Sequence, residues 1–212
     1  TVEVKSQQND NVILEGKPKV SVKGIKSNNK VIKKRMTAAQ QKAMSKKIQK
    51  EDKGRFISNE GGWQSNNLQG EHPILNELFE DIEHHATLFA KDTLKVRHPL
   101  YLDNVWININ GYKDTNSYHI HPNCLLSGVY YLKTPPKCGD LSFCHPSYDL
   151  TGFHWDSTIL RDQLNPYNIL RYFSTPKVGN LLIFPYWLRH MVHPNLNTKQ
   201  ERISISFNLI PK

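Results

Sequence analysis

The sequence is short of cysteines and of long apolar runs, and each shortage excludes a class of protein. Its three cysteines, Cys124, Cys138 and Cys144, are an odd number without a Cys-x-x-Cys pair, which disfavours a disulfide framework and a structural zinc site. The longest strongly apolar run is Leu181–Phe184, whereas a transmembrane helix needs about 20 apolar residues. No secretory signal pattern follows Thr1. We therefore expect no membrane contact and a cytoplasmic location, which would be the host cytoplasm for a phage-encoded protein.

The charge is concentrated at one end of the chain. The 212 residues carry 28 Lys+Arg and 19 Asp+Glu, a net charge of +9. Residues 1–55 hold 15 basic and 5 acidic side chains, whereas residues 56–212 hold 13 and 14 together with all ten histidines. This asymmetry predicts a basic N-terminal arm over 1–55, with one helix from about Thr37 to Lys53, and a near-neutral domain over 56–212. A contact between the arm and a polyanion follows from its charge.

The spacing of apolar residues predicts a mainly β domain. One amphipathic helix is expected where apolar side chains recur every three or four residues, from Leu75 to Phe89. After Lys95 the period changes to two, which is typical of strands. Many short strands behind two helices indicate a sandwich or barrel with the helices packed on one face. The predicted strands cover residues 105–110, 118–121, 125–132, 141–144, 180–184 and 202–209.

Polar residues occupy one face of the last predicted strand. Arg202, Ser204, Ser206 and Asn208 alternate there with apolar residues. The same alternation puts Trp106, Asn108 and Asn110 on one face of an earlier strand. Because the apolar faces are available to the helices, the polar faces would line a lumen, and a polar lumen in a small barrel favours ligand binding.

Histidines on the predicted strands can form a metal site. His119 and His121 lie two residues apart, so both imidazoles leave the same strand face and can chelate one ion. This spacing alone is modest evidence, because such histidines are more often exposed or hydrogen-bonded. His190 and, twelve residues beyond it, Arg202 strengthen the prediction. His193 is the alternative to His190 as a ligand.

These motifs resemble those of the 2-oxoglutarate- and iron(II)-dependent oxygenases, whose core is a double-stranded β-helix, or jelly roll. Within that superfamily the chain is most similar to a group of microbial and phage proteins. The resemblance covers roughly residues 56–210 and includes the segments 58–65, 104–110, 119–122, 126–131, 179–190 and 202–208.

The resemblance implies a set of site residues. His119 and His190 correspond to the first and the distal iron ligand, and Arg202 to the residue that pairs with the C5 carboxylate of 2-oxoglutarate. Ser204 repeats an Arg-x-Ser pattern of the family. Asn108 and Tyr131 are further candidate contacts of the oxoacid. Tyr130 is the alternative to Tyr131, because the two face opposite ways and only one can reach the lumen.

The chain departs from the family at His121, which occupies the position of a carboxylate ligand. The usual two-histidine, one-carboxylate triad leaves three positions open on Fe(II). We expect three histidines to replace that triad, with Asp140 as the rival source of a carboxylate.

The resemblance implies a dioxygenase that uses Fe(II), 2-oxoglutarate and O₂, with ascorbate as an aid. It would hydroxylate an unknown substrate, either a protein side chain or a small molecule, and release succinate and CO₂. Residues 145–173, which include His154 and Trp155, form a candidate lid.

Three alternatives remain at the level of sequence. The first is a non-catalytic jelly-roll binding protein, which would produce no succinate. The second is a cupin-like metal enzyme that does not use 2-oxoglutarate, in which Arg202 would have no purpose. The third is a nucleic-acid-binding protein whose function lies in the arm, with an affinity that falls steeply with salt.

Overall fold

The computed structural model describes residues 38–69, 75–147 and 169–212. The arm before residue 38, the expected start of the first helix at Thr37, and most of the candidate lid with His154 and Trp155 lie outside the described residues. The elements are α1 (Ala38–Glu51), β1 (Asn59–Glu60), β2 (Trp63–Gln64), α2 (Asn76–Asp92), β3 (Leu100–Asn110), β4 (Thr115–His119), β5 (Leu126–Lys133), β6 (Leu141–Cys144), β7 (Arg171–Ser174), β8 (Leu181–Pro185), β9 (His190–Val192) and β10 (Arg202–Pro211).

The described strands form two antiparallel sheets of five strands. One has the order β1-β4-β9-β6-β7 and the other the order β2-β3-β10-β5-β8. The inner faces of the two sheets meet in a small apolar cluster formed by Val129, Tyr131, Leu141 and Phe184. The prediction of a mainly β fold is confirmed.

The helices cover the outer face of the sheet that contains β10. Its apolar side chains alternate with polar ones, so Ile203, Ile205, Phe207 and Leu209 all face the helices and are buried in the main core. The amphipathic face of α2 packs there through Phe79, Ile82, Ala86 and Ala90. The predicted packing of helices on one face is therefore confirmed.

Helix α1 packs on the β domain. Its Ile48 is 3% exposed, and Met44 packs against the same core. Residues 36–212 form one compact unit, which includes α1. The two apolar side chains, one turn apart, form a narrow stripe that was sufficient for docking. Within the described part of the chain, no helix is long and apolar enough to cross a lipid bilayer.

The polar faces of β3, β5 and β10 line the lumen in layers. Pairing places Arg202 opposite Asn110, Ser204 opposite Asn108 and Ser206 opposite Trp106. On the other side of β10, Ser204 pairs with Tyr131 and Ser206 with Val129. Two residues along a strand span roughly 7 Å, so Arg202 lies at one end of the lumen and Trp106 nearer to the other.

Candidate metal centre

Three histidines from two neighbouring strands meet at the lumen. His119 ends β4, His121 follows it by two residues, and His190 begins β9 opposite His119 in the strand pairing. Their ring nitrogens, one from each residue, lie within 4.8 Å of one another. The backbone N–H of His121 donates to the carbonyl of Tyr186 at 3.0 Å, which fixes the chain beyond the end of β4.

Backbone carbonyls orient two of the rings for metal binding. Nδ1 of His119 lies 2.6 Å from the carbonyl oxygen of Ser117, and Nδ1 of His190 lies 2.8 Å from that of Leu188. A carbonyl only accepts hydrogen bonds, so each Nδ1 carries the proton and each Nε2 keeps its lone pair. This second hydrogen bond is the arrangement that metal-binding histidines usually have.

The spacing of the Nε2 atoms suits one ion. Nε2 of His121 is 3.2 Å from Nε2 of His190. Two nitrogens that bind the same ion at about 2.1 Å and at a right angle are about 3.0 Å apart. The donor set therefore fits a transition metal that accepts imidazole, such as Fe(II).

Burial keeps the imidazoles neutral. Burial, with a smaller contribution from the neighbouring His119, lowers the pKa of His121 to about 4 and that of His190 to about 3. Burial also lowers the pKa of His119. Near neutral pH all three rings are therefore in the deprotonated state that a metal requires.

The two rival ligands lie away from this cluster. Nε2 of His193 lies 3.0 Å from the hydroxyl of Ser142, and its ring contacts Phe173. Asp140 accepts the backbone N–H of His193 through its own carbonyl. Among the residues that the structure describes, the cluster contains three histidines and no carboxylate.

A narrow cavity of about 40 Å³ connects the histidines with Arg202. All four residues predicted to hold the oxoacid, Arg202, Ser204, Asn108 and Tyr131, line it. Arg202 is 1% exposed, and its Nη1 donates to the carbonyl of Cys138 at 2.9 Å and, more weakly, to that of Gly139 at 3.4 Å. These bonds hold the guanidinium without neutralising its charge, so the cavity favours an anion.

Tyr131 provides a neutral hydroxyl beside this cation. Burial raises the pKa of its phenol, and the charge of Arg202 only partly opposes that effect. Burial lowers the pKa of Arg202, while Tyr131 acts against the change. An arginine nevertheless remains charged in a protein. The end of the cavity therefore combines a fixed cation with a phenolic hydrogen-bond donor.

Two unpaired amide oxygens also mark the cavity as a binding site. The Oδ1 atoms of Asn108 and Asn110 are buried and have no hydrogen-bond partner among the described residues. Their Nδ2 atoms donate to Ser206 and, at 3.4 Å, to Asn116. An unpaired buried acceptor costs about 1–3 kcal/mol, and a ligand or water with a donor would remove that cost. The sequence analysis did not assign a role to Asn110, although it shares the strand face of Asn108.

An aromatic side chain, Trp106, lies beside the histidines. It is nearly fully buried, and its ring stacks on His121 with the centroids 5.8 Å apart. The guanidinium of Arg55 lies 5.6 Å from the centroid of the same indole. The alternation along β3 placed Trp106 on the lumen face with Asn108, but no role beside the histidines was predicted for it.

Comparisons with known proteins agree with this geometry. The model of a family described as "Putative 2OG-Fe(II) oxygenase" matches residues 104–208, a region that contains all three histidines and Arg202. None of the curated proteins matches the chain.

Several solved structures share the fold. A prolyl-4-hydroxylase from Pseudomonas putida is 12% identical, with a TM-score of 0.56 over 84% of this chain and 89% of that one. HygX from Streptomyces hygroscopicus, with nickel and 2-oxoglutarate bound, is 12% identical, with a TM-score of 0.56 over 84% and 80%. The viral collagen prolyl hydroxylase of Paramecium bursaria Chlorella virus-1, in its 2-oxoglutarate complex, is 14% identical, with a TM-score of 0.50 over 82% and 91%. These similarities confirm the predicted double-stranded β-helix core.

Proposed function

This chain belongs to the 2-oxoglutarate- and Fe(II)-dependent oxygenases, and from that premise we propose that it hydroxylates a C–H bond of its substrate while 2-oxoglutarate becomes succinate and CO₂. The observation that carries the proposal is that three neutral histidines and a buried arginine share one cavity. The alternative of a cupin-like enzyme without 2-oxoglutarate leaves the buried charge of Arg202 without a purpose, and the alternative of a non-catalytic jelly roll differs in producing no succinate.

His119, His121 and His190 would hold Fe(II) through Nε2. The bound metal supplies the activation of O₂, coupled to oxidative decarboxylation of the oxoacid. Three imidazoles make the site one unit more positive than a two-histidine, one-carboxylate triad, so the negative charge must come from the ligands that enter. The carboxylates of 2-oxoglutarate meet that requirement.

Arg202 would bind the C5 carboxylate at the far end of the lumen. Its guanidinium can form two parallel charge-assisted hydrogen bonds with a carboxylate. Ser206, which pairs with Trp106, is four positions after Arg202 along β10. This separation corresponds to roughly 13 Å between α-carbons. We propose that the arginine side chain and the five-carbon oxoacid together span this length, with Ser204, Asn108 and Tyr131 along the way.

Aromatic side chains would exclude water from the metal. The rings of Phe184 and Phe143 lie 4.7 Å and 5.9 Å from that of His190, between centroids. Trp106 covers His121 from another side. A dry, preorganised surrounding strengthens the electrostatic interactions of the bound oxoacid and limits side reactions.

The surface next to the ligands would receive the substrate. Trp187, which follows the residue whose carbonyl accepts the N–H of His121, is 49% exposed. An aromatic side chain next to a ligand residue suits an apolar group beside the reacting C–H bond. Both a protein side chain and a small molecule can present such a group.

The proposed location is the cytoplasm. Cys124, Cys138 and Cys144 are all free thiols, a state that agrees with a reducing compartment.

The experiment that tests the proposal is anaerobic titration of the metal-free protein with Fe(II) and then with 2-oxoglutarate, followed by measurement of succinate after O₂ is admitted. We expect His190→Ala to abolish stable metal binding and His193→Ala to retain it, because only His190 points into the cluster. We expect His121→Asp to retain metal, since it restores the usual ligand type. Metal retention in His190→Ala combined with loss in His193→Ala would contradict the assignment.

A second arm of the same experiment tests the oxoacid site. Arg202→Lys preserves the charge but not the planar fork, so 2-oxoglutarate should bind about 10- to 150-fold more weakly, as expected from the loss of charged hydrogen bonds worth about 1.5–3 kcal/mol. Arg97→Lys changes an exposed arginine outside the cavity and serves as the matched control. Equal affinity in Arg202→Lys and wild type would remove Arg202 from the site.

A further inference from the structure

A second cleft, of about 420 Å³, lies outside the metal cavity and is rich in lysines. Lys46 of α1, Lys133 at the end of β5 and Lys199 in the loop before β10 line it together with Tyr112. The ammonium group of Lys113 lies 5.4 Å from the centroid of the Tyr112 ring, next to the cleft. We call the four lining residues Lys46, Tyr112, Lys133 and Lys199 the lysine cleft.

The charge of the lysine cleft is not a reflection of the domain as a whole. Residues 56–212 hold 13 basic and 14 acidic side chains, yet Glu201 is the one acidic residue that lines the cleft. Three ammonium groups around a common space repel one another. A ligand with several negative charges would relieve that repulsion, and clefts of one sign concentrate such ligands.

The walls of the lysine cleft are fixed before any ligand binds. Asn195 is fully buried; its side chain donates to the carbonyls of Asn110 and Gln200 and accepts the backbone N–H of Asn197. Asn197 in turn accepts the backbone N–H groups of Lys199 and Gln200.

The opposite wall is joined to this loop by main-chain hydrogen bonds. The N–H of Lys113 donates to the carbonyl of Asn195 at 2.7 Å, and the N–H of Asn195 donates to that of Asp114. A preorganised cleft spends less conformational entropy on binding than a flexible one.

Tyr112 distinguishes among polyanions. Its ring is 50% exposed in the middle of the lysines, although a site for phosphate alone needs no aromatic surface. An exposed aromatic ring within a basic groove is the arrangement on which unpaired nucleobases stack. Acidic peptides would use the lysines but would gain little from the ring.

The basic surface continues along α1 beyond the cleft. Lys46, Lys50 and Lys53 are exposed, and the first two lie one turn apart on the side of α1 opposite to the buried Ile48. Lys46 to Lys50 extends for roughly 6 Å at 1.5 Å per residue, and Lys53 follows the end of α1 at Glu51. These lysines, added to those of the cleft, can contact more than one phosphate, whereas a mononucleotide would use only the cleft.

We propose that the lysine cleft and the exposed lysines of α1 bind a single-stranded nucleic acid, with one base stacked on Tyr112 and the backbone phosphates on the lysines. This inference goes beyond the oxygenase activity and does not depend on it.

The test is fluorescence anisotropy of the full-length protein with a labelled oligothymidylate of about 12 nucleotides, a length within the range that single-strand-binding domains cover. The variants are Lys133→Gln/Lys199→Gln, Tyr112→Ala and Tyr112→Phe. Lys91→Gln/Lys177→Gln removes two exposed lysines elsewhere and is the matched control. All changes are at the surface, and circular dichroism checks that each variant is folded.

We expect the magnitude of the slope of log K against log salt to fall by about 1.4 in the cleft double variant, since each phosphate contact on a single strand contributes about 0.7, and to stay constant in the control. Tyr112→Ala should weaken binding about tenfold, from a stacking contribution of about 1–3 kcal/mol per base, while Tyr112→Phe should bind like wild type. Unchanged binding in the cleft variants would assign the affinity to the arm alone. Equal binding of poly-glutamate, or an inert Tyr112→Ala, would make the cleft a general polyanion surface. Each of these results would overturn the proposal.

Discussion

At the scale of single residues, the direction of each histidine decides its chemistry. His190 and His193 are three residues apart, and the sequence alone left both open as ligands. On a strand, an odd separation sends side chains to opposite faces, and the structure indeed turns His190 to the lumen and His193 to Ser142. His119 and His121 were predictable as a pair because their separation is two. Asp140 was a plausible rival because its side-chain type suits iron, but type alone does not bring a carboxylate to the cluster.

The buried histidines also determine how stability depends on pH. In the folded protein the pKa of His121 is about 4 and that of His190 about 3, against 6.5 without burial. Between those values and 6.5 the unfolded chain binds more protons than the folded one, so stability must fall as the pH falls. The contribution is fully present above about pH 6.5 and is lost towards pH 4 and below.

We therefore predict that the metal-free protein loses stability between pH 6.5 and 4, by at most about 1.4 kcal/mol per pH unit for each histidine. Urea unfolding in the presence of a chelator measures the slope. His190→Gln should flatten it, because the glutamine does not titrate, while His98→Gln, an exposed position outside the site, should not. Identical slopes in the wild type and His190→Gln would show that burial of His190 does not govern acid stability.

At the scale of elements, the strands with an evident alternation were predictable, whereas the short strands β1, β2, β7 and β9 were not. β3 and β10 have eleven and ten residues, enough for a period of two to be evident. β1 and β2 have two residues each, and they exist through pairing with β4 and β3 rather than through any local pattern. β9 supplies a candidate iron ligand but has only three residues. Because it is so short, its position is set by pairing with β4 on one side and β6 on the other.

The docking of α1 gives a prediction at this scale. Ile48 is 3% exposed in the main core, so Ile48→Ala should lower the free energy of unfolding by about 2–5 kcal/mol. Lys47→Ala changes the neighbouring exposed residue and should cost little, since lysine and alanine have similar helix propensities. Chemical denaturation checks both. A stability loss no larger in Ile48→Ala than in Lys47→Ala would show that α1 does not stabilise the domain through Ile48.

At the scale of the whole molecule, charge and chemistry are separated along the chain. The excess of +10 in residues 1–55 left the remaining residues near neutrality, and the sequence therefore predicted a near-neutral domain. The fold adds a local concentration of charge to that prediction, because it brings lysines from α1, β5 and the loop before β10 to one cleft. Such a cluster has no sequence signature, since residues from 46 to 199 contribute to it.

The two proposed sites should therefore respond to mutation independently. The lysine cleft is formed by surface side chains, whereas Arg202 and the histidines face an enclosed lumen, and the two sets share no residue. Independent sites give additive effects.

We predict that Lys133→Gln/Lys199→Gln weakens binding of the oligothymidylate and leaves succinate formation from 2-oxoglutarate within twofold of the wild-type rate, a difference of about 0.4 kcal/mol. Arg202→Lys should lower succinate formation and leave binding of the oligothymidylate unchanged. Anisotropy and a succinate assay on the same preparations measure both quantities, with Lys91→Gln/Lys177→Gln as the common control. If the cleft variant lost oxoacid turnover in parallel with oligonucleotide binding, the cleft would be coupled to the metal centre, and the nucleic acid would have to be treated as an effector or a substrate of the oxygenase instead of a separate partner.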